Sequence, residues 1–239
     1  MLIFLDLKGE KMKLSVVIPV YNEKNTLEKI VDLVRAVDGI DKEIIIVDDG
    51  STDGSVDIIK SIGEKYPDIK TVIKGENRGK GHTLKVGFKE TTGDYVIVQD
   101  ADLEYDPQDY KKLLKALEED KVDVVYGSRF SGNYEKMTTL HHFGNKLLTL
   151  LTNLFYGVTL TDMETCYKLI PGDFARSVNI KSDRFDFEPE ITAKILKSGL
   201  KIKEVPISYK GRSFSEGKKI TWKDGFKAVY TLIKFRFFS

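Results

Sequence analysis

The sequence is poor in cysteine, proline and histidine. Its 239 residues include one cysteine, Cys166, six prolines and three histidines. A single cysteine excludes an internal disulfide framework and is typical of a protein from a reducing cytoplasm, so we expect Cys166 to be a buried thiol. There is no Pro/Ser-rich linker, internal repeat or low-complexity tract. This favours a single domain over residues 13–239, preceded by an N-terminal extension at residues 1–12.

Long apolar runs and an excess of one charge are also missing. The longest apolar region, residues 147–160, is interrupted by Thr149, Thr152 and Asn153, whereas a membrane-spanning helix needs about 20 predominantly apolar residues. The first seven residues are interrupted by Asp6 and are not followed by a signal-peptide cleavage site. The net charge is only +1, so no overall field attracts nucleic acid and any anion site must be local.

Apolar runs do alternate regularly with helical spacing in the first half of the chain. Strands are predicted at residues 13–20, 43–49, 69–73, 95–102 and 122–127. The segments between them have the 3.6-residue apolar period of helices. This alternation predicts an α/β fold with a mostly parallel central sheet flanked by helices. Ligands of such sheets bind at the C-terminal strand ends, where Tyr21, Asp48, Asp49 and residues 100–104 fall.

The most informative stretch is the fourth predicted strand, which runs directly into acidic residues. Asp100, Asp102 and Glu104 follow Tyr95–Val98. In an extended chain alternate residues share one side, so these three carboxylates would meet one ligand. Close carboxylates repel one another unless a cation lies among them, and hard oxygen ligands suit Mg²⁺ or Mn²⁺. The alternative is a solvated acidic turn after a core strand.

The second half is less regular. Strands are predicted at 165–170 and 201–207, and a helix at 188–197. Two further helices, around residues 138–156 and 221–238, have apolar stripes, and in the first of them Lys146, Thr149, Thr152 and Asn153 lie opposite the stripe. The stripes could pack on the core of the protein. The last helix is also rich in aromatic and basic residues, so it could instead lie in a membrane interface.

Several short motifs in a fixed order make the chain similar to inverting glycosyltransferase family 2, in particular its dolichyl-phosphate mannosyltransferase-like, polyprenyl-phosphate hexosyltransferase branch. The resemblance covers about residues 13–222. It rests on 15–23 (SVVIPVYNE), 47–53 (VDDGSTD), 77–81 (NRGKG), 100–104 (DADLE), 127–129 (GSR), 162–168 (DMETCYK), 187–190 (FEPE), 204–207 (EVPI), Arg212 and Lys218. It implies the nucleotide-sugar-binding GT-A fold, with a donor half at 13–127 and an acceptor half at 128–239.

The resemblance also implies roles for single residues. The pocket for base and ribose would be formed by Pro19, Tyr21, Glu23, Val47 and Asp49. The rest of the donor would contact Asp100, Ala101, Asp102, Arg212 and Lys218. Asp102 and Glu104 would bind Mg²⁺ or Mn²⁺. Arg129 and Arg212 would contact the acceptor phosphate. The catalytic residues would be Asp100, Asp102 and Arg129. Asp162 and Glu164 would orient these cations. Many dolichyl-phosphate enzymes have Gln at the position of Glu104, which leaves the donor sugar open.

The implied acceptor also explains why no catalytic base is evident. A sugar hydroxyl must lose a proton to attack, whereas a lipid phosphate is already ionised at neutral pH. Positioning and charge stabilisation would then suffice. The three histidines are expected at the surface or as caps, and we assign them no role: His82, His141 and His142.

We therefore expect a metal-dependent transferase that moves a hexose, mannose or glucose, from GDP-mannose or UDP-glucose to a polyprenyl or dolichyl phosphate. The protein would be cytoplasmic and peripherally associated with the cytoplasmic face of a membrane, with the acceptor entering between the two amphipathic helices. One alternative is transfer to a soluble or protein-linked glycan, which would need a base such as Glu188 or Glu190. Another is a non-catalytic protein that binds nucleotide-sugars.

Overall fold

A seven-stranded, mostly parallel sheet forms the centre of the protein in a computed structural model that describes Phe4 and residues 11–132, 134–135, 139–212 and 222–238. Its strands are β1 (Lys13–Val20), β2 (Asp41–Asp48), β3 (Ile69–Ile73), β4 (Tyr95–Val98), β5 (Val124–Ser128), β7 (Lys168–Pro171) and β8 (Ile202–Pro206). The strand order is β3-β2-β1-β4-β7-β5-β8. A second, two-stranded sheet joins β6 (Tyr134–Glu135) to β9 (Tyr209–Lys210) in parallel.

Helices cover the sheet. They are α1 (Leu27–Arg35), α2 (Ser55–Lys65), α3 (Lys80–Lys89), α4 (Tyr110–Asp120), α5 (Thr139–Tyr156), α6 (Gly172–Ser177), α7 (Phe187–Lys197) and α8 (Trp222–Phe237). Strands β1 and β2 are apolar on both faces and almost fully buried, as expected where helices cover both sides of a parallel sheet. Helix α3 packs so closely on β1 that a Cβ on Gly87 would lie 2.4 Å from Val17 Cγ1.

One central strand runs against the others. β7 pairs antiparallel with β4 on one side and with β5 on the other, whereas β1, β2, β3 and β4 are mutually parallel and β5 is parallel to β8. The sequence pattern predicted a strand near residues 165–170 but not its direction. The insertion brings the 162–168 segment beside the C-terminal ends of β4 and β5.

The first of the two amphipathic helices of the second half, α5, is not oriented as the sequence predicted. Thr149 and Thr152, expected opposite the apolar stripe, are buried. The Thr152 hydroxyl donates to Leu148 O (2.9 Å), and Thr149 Oγ1 accepts from Met163 N (3.1 Å). Their hydroxyls are therefore satisfied inside the protein, which leaves part of the apolar stripe facing outward.

The proposed boundary at residue 13 stays a prediction. Phe4 is buried in the main core, and its carbonyl accepts a hydrogen bond from Met12 N at 2.9 Å.

Candidate active site

The acidic residues after β4 lie in a turn and not in a continuing strand. The strand ends at Val98, Leu103 has a positive φ of 63°, and Asp102 Oδ1 accepts a hydrogen bond from Glu104 N at 3.1 Å. The expectation that an extended chain places all three carboxylates on one side is therefore wrong. Asp102 and Glu104 do converge, whereas Asp100 is directed toward a different cation.

Arg212 is the cation that Asp102 and Glu104 share. Its Nη2 lies 3.2 Å from Asp102 Oδ2, and its backbone N–H donates to Glu104 Oε1 at 2.6 Å. The guanidinium also forms a two-bond fork with Glu23, each distance being 3.1 Å. The Glu104 carboxylate additionally accepts a hydrogen bond from the Tyr209 hydroxyl at 2.7 Å. Glu23, Asp102 and Glu104, which were predicted to bind the donor or a metal ion, thus all contact Arg212. Arg212 itself was predicted to contact phosphate.

This cluster keeps a surplus of negative charge. Burial, followed by the charges of Asp100 and Glu104, raises the pKa of Asp102 to about 7, against the opposing effect of Arg212. Among the described residues no group of three His, Cys, Asp or Glu side chains forms a ready cation site. Asp102 and Glu104 are hard oxygen donors on one side of the turn, so the pair fits Mg²⁺ or Mn²⁺ if the remaining ligands come from a diphosphate and water. Their role in metal binding stays a prediction.

Asp100 belongs to a buried chain of alternating charges. Lys80 Nζ lies 2.8 Å from Asp100 Oδ1 and 3.4 Å from Glu188 Oε1. Glu188 in turn accepts from Lys168 Nζ, which also donates to the Thr165 carbonyl. Burial alone would raise the pKa of Asp100, but the charge and hydrogen bond of Lys80 hold that pKa below its ordinary value. Asp100 is therefore an ionised carboxylate that is held in place by Lys80.

The sequence did not identify Lys80 as a partner of Asp100, although it lies in the 77–81 motif. The two glycines on either side of Lys80 explain why the chain can approach so closely here. A Cβ on Gly79 would lie 2.4 Å from Asp183 O, and one on Gly81 would lie 2.3 Å from Ser182 O. The motif is therefore a tightly packed entry to α3.

The two candidate bases on α7 are not available as such. Glu188 is paired with both Lys168 and Lys80. The Glu190 carboxylate accepts from Lys181 N (2.7 Å) and Ser182 N (2.6 Å) and pairs with Lys194. Both side chains are buried because α7 is covered on nearly every side. The hydrogen bonds of Glu190 thus fix the backbone of residues 181–182.

The predicted base-and-ribose residues surround the C-terminal ends of β1 and β2. Pro19 and Val47 are register partners on these strands, and Tyr21 is half-buried just beyond β1. Asp49 is buried, and its carboxylate accepts from Lys74 Nζ (2.5 Å), Arg78 N (3.0 Å) and Gly79 N (2.8 Å). Its oxygens therefore hold the 74–79 loop over the strand ends, where a base N–H was expected.

Arg129 lies on the other side of the inserted strand, after β5. Its Nε and Nη2 form a fork with Asp162 at 2.7 Å each, and its backbone N–H donates to the same carboxylate at 2.9 Å. Asp162 is held in turn by Glu204, which accepts from the backbone N–H groups of Thr161 and Asp162. The structure thus agrees with an orienting role for Asp162, while the contact of Arg129 with a phosphate stays a prediction.

The remaining residues singled out in the sequence differ in burial and in whether the structure describes them. Ala101 is buried beside Asp100, Cys166 is a buried thiol whose pKa burial raises, and Lys218 lies outside the described residues. Burial, with the charges of Lys74 and Arg78, lowers the pKa of His82, and its Nδ1 has no hydrogen-bond partner in the part of the chain that the structure describes.

Comparison with known proteins yields consistent matches. The model of the family described as glycosyl transferase family 2 matches residues 15–176. The low-salt glycan biosynthesis hexosyltransferase Agl6 of Haloferax volcanii is 31% identical over 222 residues, covering 90% of this chain and 52% of that protein. A dolichol-phosphate mannosyltransferase of Pyrococcus furiosus is 30% identical over 236 residues, covering 93% of this chain and 64% of the relative. The chain thus spans half to two thirds of the length of these two relatives.

The fold is shared with solved structures at lower identity. Glucosyl-3-phosphoglycerate synthase from Mycobacterium tuberculosis, crystallised with Mn²⁺, uridine diphosphate and glucosyl-3-phosphoglycerate, superimposes with a TM-score of 0.70 at 20% identity. The match covers 94% of this chain and 80% of that one. The expectation of an α/β GT-A fold with a mostly parallel sheet is confirmed.

Proposed function

Since the chain belongs to glycosyltransferase family 2, we propose that it transfers a hexose, with inversion, from a nucleoside-diphosphate sugar to a polyprenyl phosphate at a membrane surface. The observation that carries this proposal is the arrangement along one sheet edge. Acids predicted to serve the donor, Asp100 and Asp102, follow β4, and a buried arginine predicted to serve the acceptor, Arg129, follows β5. The inserted strand β7 lies between them.

The donor would bind above β1, β2 and β4. Tyr21 would stack on the base, and Asp102 with Glu104 would hold Mg²⁺ or Mn²⁺ against the diphosphate. A divalent ion bound there would neutralise charge on the leaving diphosphate. Arg212 would leave its carboxylate partners and bind the incoming phosphates. A guanidinium can donate two parallel hydrogen bonds to a phosphate. Support comes from the convergence of all four side chains at one strand edge.

The acceptor is proposed to be an ionised phosphate because the two candidate bases on α7 are already paired and are not available to deprotonate a hydroxyl. Glu188 is neutralised by two lysines, and Glu190 is filled by backbone N–H groups and Lys194. A phosphate oxygen needs no deprotonation, and Arg129 could orient it. The name of the Pyrococcus relative, dolichol-phosphate mannosyltransferase, supports the same class of acceptor.

A membrane surface is proposed because α5 and α8 expose large apolar side chains while they bury polar ones. The side chains of Phe143, Leu150 and Leu154 on α5, and Phe226, Tyr230 and Phe237 on α8, are between 63% and 74% exposed. Thr149, Thr152 and Thr231 are buried on the inner sides of the same helices. Leu148, Leu232 and Phe235 of these helices pack inside, and the many large apolar side chains that remain exposed are typical of a surface that enters the lipid headgroup region.

Cations border this face, which favours an anionic lipid surface over a second copy of the chain. Lys146, Lys227 and Arg236 are exposed and Lys234 is half-buried. Each basic residue near an anionic leaflet contributes about 1 kcal/mol to binding, whereas two copies of the face would bring like charges together. No helix in the described part of the chain is both long and apolar enough to cross a membrane.

A transfer assay tests the proposal. The purified chain would be incubated with radiolabelled GDP-mannose or UDP-glucose, Mn²⁺ and either a polyprenyl phosphate or soluble glycans, and the products separated by solvent extraction. We expect label in the lipid phase only, and Asp102→Asn to abolish it. Label only in soluble products would replace the lipid acceptor by the glycan alternative. Donor binding without turnover on any acceptor would support the non-catalytic alternative.

The membrane contact has its own test. The double replacement of Leu150→Ser and Leu154→Ser should weaken binding to phosphatidylglycerol-containing vesicles, measured by co-sedimentation, by about 1–2 kcal/mol per side chain. Both side chains are exposed, so the melting temperature should stay unchanged. Leu33→Ser on α1, another partly exposed leucine, is the matched control and should sediment like the wild type. Equal sedimentation of all three proteins, or loss of a dimer in place of vesicle binding, would contradict a lipid partner.

A further inference from the structure

One carboxyl group in the candidate site is not used by any interaction described above. Glu164 Oε1 is buried and has no hydrogen-bond partner among the residues that the structure describes. Burial, with the nearby charge of Glu188, raises the pKa of Glu164 to about 7, although Lys168 and Arg129 act in the opposite direction. A buried polar atom left without a partner destabilises a folded protein, so its presence in a site calls for a functional explanation.

The cations around Glu164 are already occupied. Arg129 is held by Asp162 through a two-bond fork, and Lys168 is held by Glu188 and the Thr165 carbonyl. The carboxylates of Asp162 and Glu188 therefore occupy Arg129, Lys168 and Lys80, and Glu164 is left without a paired cation among the described residues. It does not serve to neutralise these cations, which argues against a purely structural role.

The position of Glu164 along the chain places it between the two halves of the proposed reaction. Two residues before it, Asp162 holds Arg129 on the acceptor side. Two residues after it, Cys166 Sγ lies 3.8 Å from Lys80 Nζ, which binds Asp100 on the donor side. In the proposed function the transferred sugar lies between these groups, and Glu164 lies in the segment that connects them.

The charges around Glu164 indicate which ligand chemistry it suits. Asp162 and Glu188 disfavour an additional phosphate close to this carboxyl, and Arg129 and Lys168 disfavour a cation. A neutral hydroxyl matches both, since it can donate to a carboxylate and can accept from a carboxylic acid. We propose that Glu164 binds a hydroxyl group of the transferred hexose and so helps to select and orient the sugar. This inference rests on the proposed function.

Binding measurements separate this role from general damage to the site. Affinities of the wild type, Glu164→Gln and Glu164→Ala would be measured by calorimetry with Mn²⁺, for UDP and GDP alone and for UDP-glucose and GDP-mannose. We expect Glu164→Ala to bind the preferred nucleotide-sugar about tenfold more weakly and the corresponding nucleotide as tightly as the wild type does. Glu164→Gln, whose amide can still form hydrogen bonds, should lose less.

Stability gives a second, independent readout. Glu164 has a folded-state pKa above its ordinary value of 4.5, so the wild type loses stability as the pH rises from about 4.5 to about 7. Glu164→Gln removes this loss and should melt higher than the wild type at pH 7.5 but not at pH 4.5. Glu43→Gln is the matched control away from the site. The Glu43 carboxylate accepts from Ser15 and Thr92, so its replacement should lower the melting temperature at pH 7.5.

The outcomes are distinct. Weaker binding of the nucleotide-sugar alone, together with a higher melting temperature of Glu164→Gln, supports the inference. Equal losses for nucleotide and nucleotide-sugar, no loss for either, or a lower melting temperature of Glu164→Gln at pH 7.5 would overturn it. If the wild type binds no nucleotide-sugar, the proposed function itself fails, and the inference falls with it.

Discussion

Arg212 is the residue whose replacement should change both stability and metal affinity, in opposite directions. In the structure its guanidinium joins Glu23, Asp102 and Glu104. Removing one partner of a buried ion pair costs about 3–5 kcal/mol. The Arg212 side chain keeps 17% of its surface exposed, so solvent screens part of the effect and we expect Arg212→Ala to lose about 2–3 kcal/mol. For a chain of this size that is about 5–10 °C in melting temperature.

The same replacement should tighten the binding of a divalent ion to the free protein. A metal that takes Asp102 must first break its hydrogen bond with Arg212, and such charged hydrogen bonds contribute about 1.5–3 kcal/mol. Without Arg212 this cost disappears, so Mn²⁺ should bind Arg212→Ala about tenfold to hundredfold more tightly in the absence of nucleotide. Calorimetric titration with Mn²⁺ and thermal unfolding of the same samples measure both effects.

Two controls make the experiment decisive. Arg212→Lys keeps the charge but loses the fork to Glu23, so its stability should be intermediate and its Mn²⁺ affinity close to that of the wild type. Asp102→Asn should bind Mn²⁺ weakly whatever stands at position 212. If Arg212→Ala binds Mn²⁺ no better than the wild type does, the guanidinium and the metal do not compete for Asp102, and the assignment of this carboxylate as a metal ligand is refuted.

Three further predictions concern packing, a buried ion pair and acid stability. Gly79→Ala should cost about 1–3 kcal/mol in urea unfolding because its Cβ would clash with a backbone carbonyl, whereas Gly144→Ala, with open space in α5, should gain up to about 1 kcal/mol. Asp162→Asn should cost about 3–5 kcal/mol, because it leaves the buried guanidinium of Arg129 without its carboxylate; Asp162→Asn that unfolds like the wild type would contradict this. Glu43 is half-buried, and its hydrogen bonds outweigh the effect of burial and lower its pKa from 4.5 to about 2, so the stability it contributes is lost as the pH falls from about 4.5 to about 2. In Glu43→Gln, the free energy of unfolding should therefore fall less steeply between about pH 4.5 and about pH 2, as urea unfolding at several pH values would measure.

Features that depend on local pattern were predictable from the sequence. Apolar β-branched runs and helical spacing identified β1 to β5 and the helices between them to within a few residues. The rule that parallel strands end at one edge then brought Tyr21, Asp49 and Asp102 to the same side of the sheet. The antiparallel direction of β7 was not predictable, because a short apolar strand has the same alternation whichever way it runs.

Partners of charged residues were the part of the site that the sequence could not supply. Lys80 and Asp100 are separated by 20 residues, and Arg212 and Glu23 by 189. No local period relates such pairs. Glu188 and Glu190 lie in the first turn of α7, where acidic residues are usually exposed, but α7 is covered on nearly every side and both acids have basic or backbone partners.

The inverted faces of α5 and α8 show why an apolar stripe alone is ambiguous. A stripe at helical spacing predicts which residues share a side but not whether that side meets the core or the surroundings. Threonine is small enough to pack inside when its hydroxyl bonds a carbonyl of the preceding turn, as Thr152 does. With these threonines inside, large apolar side chains such as Phe143, Leu154 and Phe226 are left outside, while Leu148, Leu232 and Phe235 of the same helices are buried.

The acids at the sheet edge are partly compensated by cations of the protein itself, which the reasoning from sequence did not foresee. In the described structure the protein supplies its own cations: Lys74 for Asp49, Lys80 for Asp100, Arg212 for Glu23, Asp102 and Glu104, and Arg129 for Asp162. In the proposed function, donor binding at this edge would therefore be an exchange of counterions and not the filling of an empty acidic pocket. The exchange concentrates at Arg212, because it is the one of these cations that serves three carboxylates from separate segments, and a metal and a diphosphate arriving together would satisfy the acids and the guanidinium at once.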